Sequence, residues 1–289
     1  MKFGLRYCNT GRYVDPTQAI ALAQAGEEAG FESAWTVEHT VVPAGYRSAY
    51  PYAEDGKMAG GVEDMPLPDP LIWMAYVAAA TTSMKLGTGI LILPQHNPVH
   101  IAKQVATLDH LARGRILLGI GVGWLKEEFD ALGAAFEDRG RRTDEYIRAM
   151  RELWQADCPQ FDGEFVQFDS LYCRPRPAQG SVPIIVGGHS KAAARRAGRL
   201  GDGFFPARDA PEELISLARE TAAEHGRDPT ALEITVSLPD DFAKLAEYER
   251  LGVDRVLVPV SAMAGLRRAI GSPDDALTWR DTIERYAAL

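Results

Sequence analysis

Cysteine is scarce in this chain: there are three in 289 residues, Cys8, Cys158 and Cys173, at wide and irregular spacing. That excludes a disulfide framework and the paired spacings of a structural zinc site, and free thiols in a reducing cytoplasm are expected. Long apolar runs are missing too. Stretches such as ILILP fall far short of the roughly 20 residues that cross a bilayer. Basic charge is in deficit, with 31 Lys and Arg against 40 Asp and Glu and a net charge of −9. Neither a nucleic acid nor an anionic membrane is therefore an expected partner, since both need a basic face. The N-terminus, MKFGLRYCNTG, enters a strand-like segment without a signal-peptide pattern, and a soluble cytoplasmic protein is expected.

Catalytic motifs are equally sparse. Six histidines are scattered without HExxH or any metal-ligand spacing, so no metal is expected. No GxSxG elbow and no P-loop occur. GIGVGW (119–124) begins like a dinucleotide fingerprint but lacks the third glycine. With no evident nucleophile or metal, a bound organic cofactor is expected to supply the reactivity, and a small molecule to be the substrate.

What the chain does have is alternation. With 46% apolar residues it can bury a large core. Strand-like runs fall at 2–8, 33–40, 85–94, 115–124, 182–188, 202–207, 232–238 and 255–261. Helical segments follow them, from Asp15-Pro16 to Gly30, over 70–83, from Asn97-Pro98 to Gly114, and at 190–200, 211–226, 240–251 and 274–288. Caps mark several: Asp before Pro at a start, Gly at a stop. Ile101, Val105, Leu108 and Ala112 follow helical spacing. A βα unit repeated eight times predicts an α/β TIM barrel, one domain over 1–289. An open doubly wound sheet would show fewer units and a Gly-rich loop after its first strand. Two stretches exceed the barrel's needs: 41–69, after the second strand, and 134–181, between the fourth and fifth, with a hairpin over 161–173.

In a barrel, the carboxyl ends of the strands form the active face. SAWTVEHT (33–40) ends there on Glu38 and His39, either as an exposed pair capping the strand or as part of a site. VGGHS places Gly187, Gly188, His189 and Ser190 at the start of a helix. This is either a glycine turn with a serine cap or a phosphate seat. Asn97 is explained by capping alone. The 41–69 loop, with Tyr46, Tyr50 and Tyr52, is expected to be an ordered lid, mobile without cofactor.

Several motifs, in order, resemble the luciferase-like flavin and deazaflavin oxidoreductases, in particular the branch that uses coenzyme F420. They are SAWTVEHTVVP, YPYAEDGKMAG, the long run from DPLIWMAY to GVGWLKEEF, RGRRTDEY and VPIIVGGHS. The resemblance runs from KFGLRY to about GDGFFPA and implies the barrel already counted. It implies F420 as cofactor, with FMN as the alternative, bound over the barrel by Glu38, His39, Gly89, Ile90 and the 187–190 segment. His39, with Glu38, is the catalytic candidate. The Gly89–Ile90 peptide is expected to be cis. Tyr46, Tyr50, Tyr52 and Trp124 are expected around the substrate. Where some deazaflavin dehydrogenases carry a catalytic glutamate, this chain has Trp124, with Glu127 and Glu128 a turn later. Those two either substitute for it or are solvated residues of a first helical turn. Three outcomes stay open: hydride transfer with F420, an FMN monooxygenase fed by a separate reductase, or a non-catalytic binder of the cofactor. A homodimer is implied as well.

Overall fold

Runs that are apolar at every position become strands buried on both faces. A computed structural model describes all residues except 54, 59–61, 208, 264–265 and 288–289. The strands are β1 (Lys2–Arg6), β2 (Ser33–Thr36), β3 (Lys85–Thr88), β4 (Leu91–Ile92), β5 (Ile116–Gly121), a hairpin of β6 (Phe161–Asp162) and β7 (Gln167–Phe168), β8 (Ile184–Gly187), β9 (Gly203–Phe205), β10 (Glu233–Ser237) and β11 (Arg255–Pro259). All but the hairpin pair in parallel, in the order β3-β2-β1-β11-β10-β9-β8-β5-β4. Pairing of β3 with β5, Leu86 opposite Ile116, closes the ring. Since β3 and β4 share one position, the ring has eight, and the fold is a TIM barrel.

The covering helices are α1 (Pro16–Ala29), α2 (Pro70–Ala78), α3 (Pro98–Leu111), α4 (Lys126–Ala131), α5 (Arg139–Gln155), α6 (Lys191–Leu200), α7 (Glu212–Glu224), α8 (Leu245–Arg250), α9 (Pro273–Leu277) and α10 (Arg280–Ala287). The expected caps form. Asp15 accepts from the Thr17 and Gln18 amides, both at 3.0 Å, and Asn97 from those of Val99 and His100. Gly30 ends α1 in the left-handed region, φ 93°, where a side chain would be strained. Several expected boundaries move. The 33–40 strand stops at Thr36, and the 85–94 strand breaks at Gly89–Ile90, which is a cis peptide. The 70–83 helix stops at Ala78, and the 274–288 helix divides around Thr278 and Trp279, with residue 288 outside the described residues. Among the described residues no helix is long and apolar enough to cross a membrane.

The core has two parts. Trp35, Leu117, Ile185, Phe205 and Leu257 plug the barrel, with Ile90 packed on them, and a larger shell lies between strands and helices. Trp35 fits because Gly87 is beside it: a Cβ there would sit 2.8 Å from the indole. Truncating so large a buried side chain costs about 3–5 kcal/mol. The plug matters to function because Ile90 and Phe205 are also the floor of the cavity above it.

Candidate active site

The cavity at the carboxyl ends of the strands has a volume of about 950 Å³. Residues of seven barrel positions reach it. From the second, Glu38 and His39 line one wall, two and three residues past the end of β2.

His39 and Glu128 form the central pair. His39 Nδ1 lies 2.8 Å from Glu128 Oε2, and the other carboxylate oxygen accepts from the amides of Thr40 at 2.7 Å and Val41 at 3.3 Å. Glu128 is wholly buried, which corrects the alternative of a solvated residue on a helical turn. Burial pushes its carboxyl up, but the hydrogen bond and charge of His39 outweigh burial and hold it below the ordinary carboxylate range. An ionised carboxylate only accepts, so Nδ1 carries the proton. The remaining nitrogen, Nε2, makes no hydrogen bond with any described residue, and His39 lines the cavity. In the neutral ring Nε2 is therefore a bare proton acceptor.

Glu38 faces a different partner. One of its oxygens accepts from the Ile92 amide at 2.5 Å, and the other lies 2.9 Å from His96 Nε2. Burial opposes the charged form of His96, yet the Glu38 hydrogen bond and charge raise its pKa above the usual value. Both oxygens of Glu38 are thus taken up in tying β2 to the segment after Gly89–Ile90. Sequence reading missed His96 and left Glu128 open. Each lies in a loop or short helix far along the chain, and no periodicity marks it.

The floor is Ile90, held between two strands. A methyl on Gly121 or on Gly187 would come within 2.5 Å of its side chain, so both glycines are there to seat Ile90. Gly188, with φ 131°, turns the chain into α6. His189 Nδ1 donates to the Pro206 carbonyl at 2.9 Å, and Ser190 caps α6 by accepting from the Ala193 amide at 3.2 Å. Arg139 and Gly140, at the start of α5 and of the RGRR run, line the cavity beside them. Arg139 donates to the carbonyls of Gly123 at 3.2 Å and Phe136 at 3.0 Å. That end of the cavity therefore combines helix N-terminal amides with a guanidinium, which suits an anion.

The roof is aromatic. Trp124 is met edge-on by His39 at 5.8 Å and by Tyr50 at 5.0 Å, and Tyr52 meets Tyr50 at 5.4 Å. Trp124, Tyr50 and Tyr52 line the cavity. Tyr46 does not: it is buried behind Trp124 at 5.4 Å, and its hydroxyl accepts from the Met58 amide at 2.8 Å. It braces the wall from outside, because the loop folds back on itself between residues 46 and 58. Glu127 fastens the loop, accepting from the Arg47 amide at 2.8 Å and the Ser48 hydroxyl at 2.6 Å. The Ser48 hydrogen bond holds its carboxyl down to about 2. Residues 54 and 59–61 of the expected lid lie outside the described residues.

Comparison with known proteins now has a geometry to refer to. The family model for luciferase-like monooxygenases matches residues 4–240. An uncharacterized protein of Mycobacterium tuberculosis (strain ATCC 25618 / H37Rv) is 32% identical over 291 residues, 100% of this chain and 98% of the relative. The F420-dependent glucose-6-phosphate dehydrogenase of Mycolicibacterium smegmatis is 31% identical over 282 residues, 93% of this chain and 77% of the relative. Among solved structures, the coenzyme F420-dependent tetrahydromethanopterin reductase of Methanopyrus kandleri shares the fold, with a TM-score of 0.75 and 17% identity over 99% of both chains. Closed barrel and matched sequence agree, and the chain belongs to the luciferase-like monooxygenase family.

Proposed function

We propose that this protein is an oxidoreductase that moves hydride between coenzyme F420 and a small organic substrate in the cavity above the barrel. The observation that carries the reading is His39, whose Nδ1 is held by buried Glu128 while Nε2 is left open to the cavity. Family membership and an F420-dependent dehydrogenase among the relatives support the choice of cofactor. The residues fit such a group. Ile90 offers an apolar floor for a tricyclic ring, and Gly187–Ser190 with Arg139 offers donors to a phosphorylated tail. When bound, a deazaflavin supplies hydride and reacts poorly with oxygen.

The chain's own part is proton handling and orientation. His39 Nε2 takes or gives the proton that accompanies hydride transfer, work suited to an imidazole near neutral pH. Glu128 fixes the tautomer and stabilises the ring when protonated, as carboxylates beside catalytic histidines do. Glu38 acts through position: with His96 and the Ile92 amide it sets the wall that carries His39. Trp124 and Tyr50 exclude water above the substrate. The second reading, an FMN monooxygenase served by a separate reductase, is favoured by the family's own name.

Paired fluorescence titrations with F420 and FMN decide between them. Binding of F420 alone is the expected result; preference for FMN overturns the hydride reading. His39→Ala is expected to keep cofactor affinity and lose turnover, whereas a change in affinity alone points to a binder. We also propose a cytoplasmic homodimer. Ile72 and Tyr76, one turn apart on α2 and 73% and 48% exposed, offer an apolar patch for the second copy. Ile72→Glu should then shift the mass in light scattering to that of a monomer.

A further inference from the structure

Among the described residues three arginine side chains are buried: Arg6, Arg196 and Arg255. Two are neutralised by carboxylates. Arg255 bonds Glu32 at 2.8 Å and Glu233 at 3.2 Å, and Arg196 bonds Asp144. Arg6, only 5% exposed, has no carboxylate at ion-pair distance among the described residues, and it is the one of the three at the end of β1, on the cavity floor.

Its partners are neutral. Nη1 donates to the Ala207 carbonyl at 2.7 Å and to the Ser237 hydroxyl, while Nε is buried without a hydrogen bond. Nη2 makes none with a described residue. The guanidinium carbon lies 4.6 Å from the Tyr7 ring and 4.8 Å from the Phe205 ring. Aromatic faces offset part of a buried charge, but they do not neutralise it. Nor is the arrangement loosely held. Tyr7 and Ala207, which supply a ring and a carbonyl to it, both adopt left-handed backbone, φ 68° and 77°. For residues other than glycine this persists only where the surroundings enforce it.

Position narrows the ligand. Around the ring, β1 stands four places from β8 in either direction, through β2, β3 and β5 or through β11, β10 and β9. β1 thus stands across the ring from β8, but the guanidinium leans to β9, onto the Phe205 ring and the Ala207 carbonyl, beside the Gly187–Ser190 seat. That seat has its own donors for the proposed cofactor tail, which leaves the guanidinium for a second anion. We propose that Arg6 is the counter-ion for an anionic group of the substrate, a carboxylate or phosphate, and so restricts this enzyme to acids. The inference rests on the proposed function for where the tail lies, but not for which cofactor binds.

The test uses the full-length protein and three variants, Arg6→Met, Arg6→Gln and Arg6→Lys, with benzoate, inorganic phosphate and the neutral isostere benzamide as probes. Tryptophan fluorescence and thermal shift are read at constant ionic strength, and F420 is titrated in parallel. Wild type should bind benzoate at least about tenfold more tightly than benzamide. Arg6→Met should lose that preference, Arg6→Lys should keep part of it, and F420 affinity should be the same in all. If Arg6→Met does not fold, Arg6→Gln carries the comparison. Equal binding of benzoate and benzamide by wild type, or an unchanged preference in Arg6→Met, overturns the proposal. So does a loss of F420 affinity in Arg6→Met with no effect on benzoate, which assigns the charge to the cofactor ring. If wild type does not bind F420 but the benzoate preference still tracks Arg6, the cofactor reading fails and the anion site stands.

Discussion

Glu128→Gln isolates what a charge does at this site. The substitution keeps shape and removes the negative charge from a wholly buried side chain that accepts from Thr40 N, Val41 N and His39. Two backbone amides require an acceptor, so the amide oxygen of glutamine must face them and its NH2 must face His39. Nδ1 then has to accept, the ring proton moves to Nε2, and the cavity loses its bare base. General base catalysis is worth about 10²–10⁴ in rate, and kcat should fall by that factor with F420 affinity unchanged. A charge-assisted hydrogen bond becomes a neutral one at a cost of about 1–2 kcal/mol, a drop of about 2–8 °C in Tm for a chain of this size. Nitrogen-15 NMR of the imidazole reports the tautomer directly, and stopped-flow oxidation of reduced F420 reports the rate. The reasoning is refuted if wild type carries its proton on Nε2, or if the variant swaps tautomer without losing rate.

Other perturbations test other parts of the site. Gly187→Ala places a methyl 2.5 Å from the Ile90 side chain. Overpacking of this kind costs about 1–3 kcal/mol, and F420 titration should show affinity down about tenfold; unchanged affinity would separate Ile90 from the cofactor seat. Glu32, burial notwithstanding, is held at about 2 by Arg255, and Glu27 at about 2 by the amides of residues 82–84. Both pKa values are lowered on folding, so their stabilisation is complete above about 4.5 and is lost as pH falls toward about 2. The unfolding free energy from urea titrations should fall through that window by about 1–3 kcal/mol for Glu32, less for the more exposed Glu27, and Arg255→Met should flatten the slope. Glu127→Gln should speed hydrogen exchange at the Arg47 and Ser48 amides at neutral pH and leave the barrel strands protected; equal protection would mean that the loop is fastened elsewhere.

Much of the fold was written locally. Asp15, Asn97 and Ser190 cap helices because a short polar side chain before the first turn satisfies its free amides. The third strand was over-extended because KLGTGILILP reads as one strand, while the chain breaks inside it at Gly89–Ile90. Site residues divide along the same line. Glu38, His39 and 187–190 sit next to strand ends and are found by counting units. Glu128 was left ambiguous because its burial depends on His39, 89 residues away, and Tyr46 was misplaced because tyrosines in a loop show no facing. Arg6 had a signal that went unused. In KFGLRY the residues Phe3 and Leu5 face the helices, so Arg6 must face the barrel, an uncommon place for a charge.

Glu127 and Glu128 are neighbours on one short helix, yet they reach in different directions, one to the 47–48 backbone and one to His39. Six residues of α4 thus act as a single latch plate with two bolts. Any tilt of that plate that releases the loop also turns the imidazole away from its working orientation. The position of the 47–48 backbone and the orientation of His39 are thereby coupled through one turn of helix.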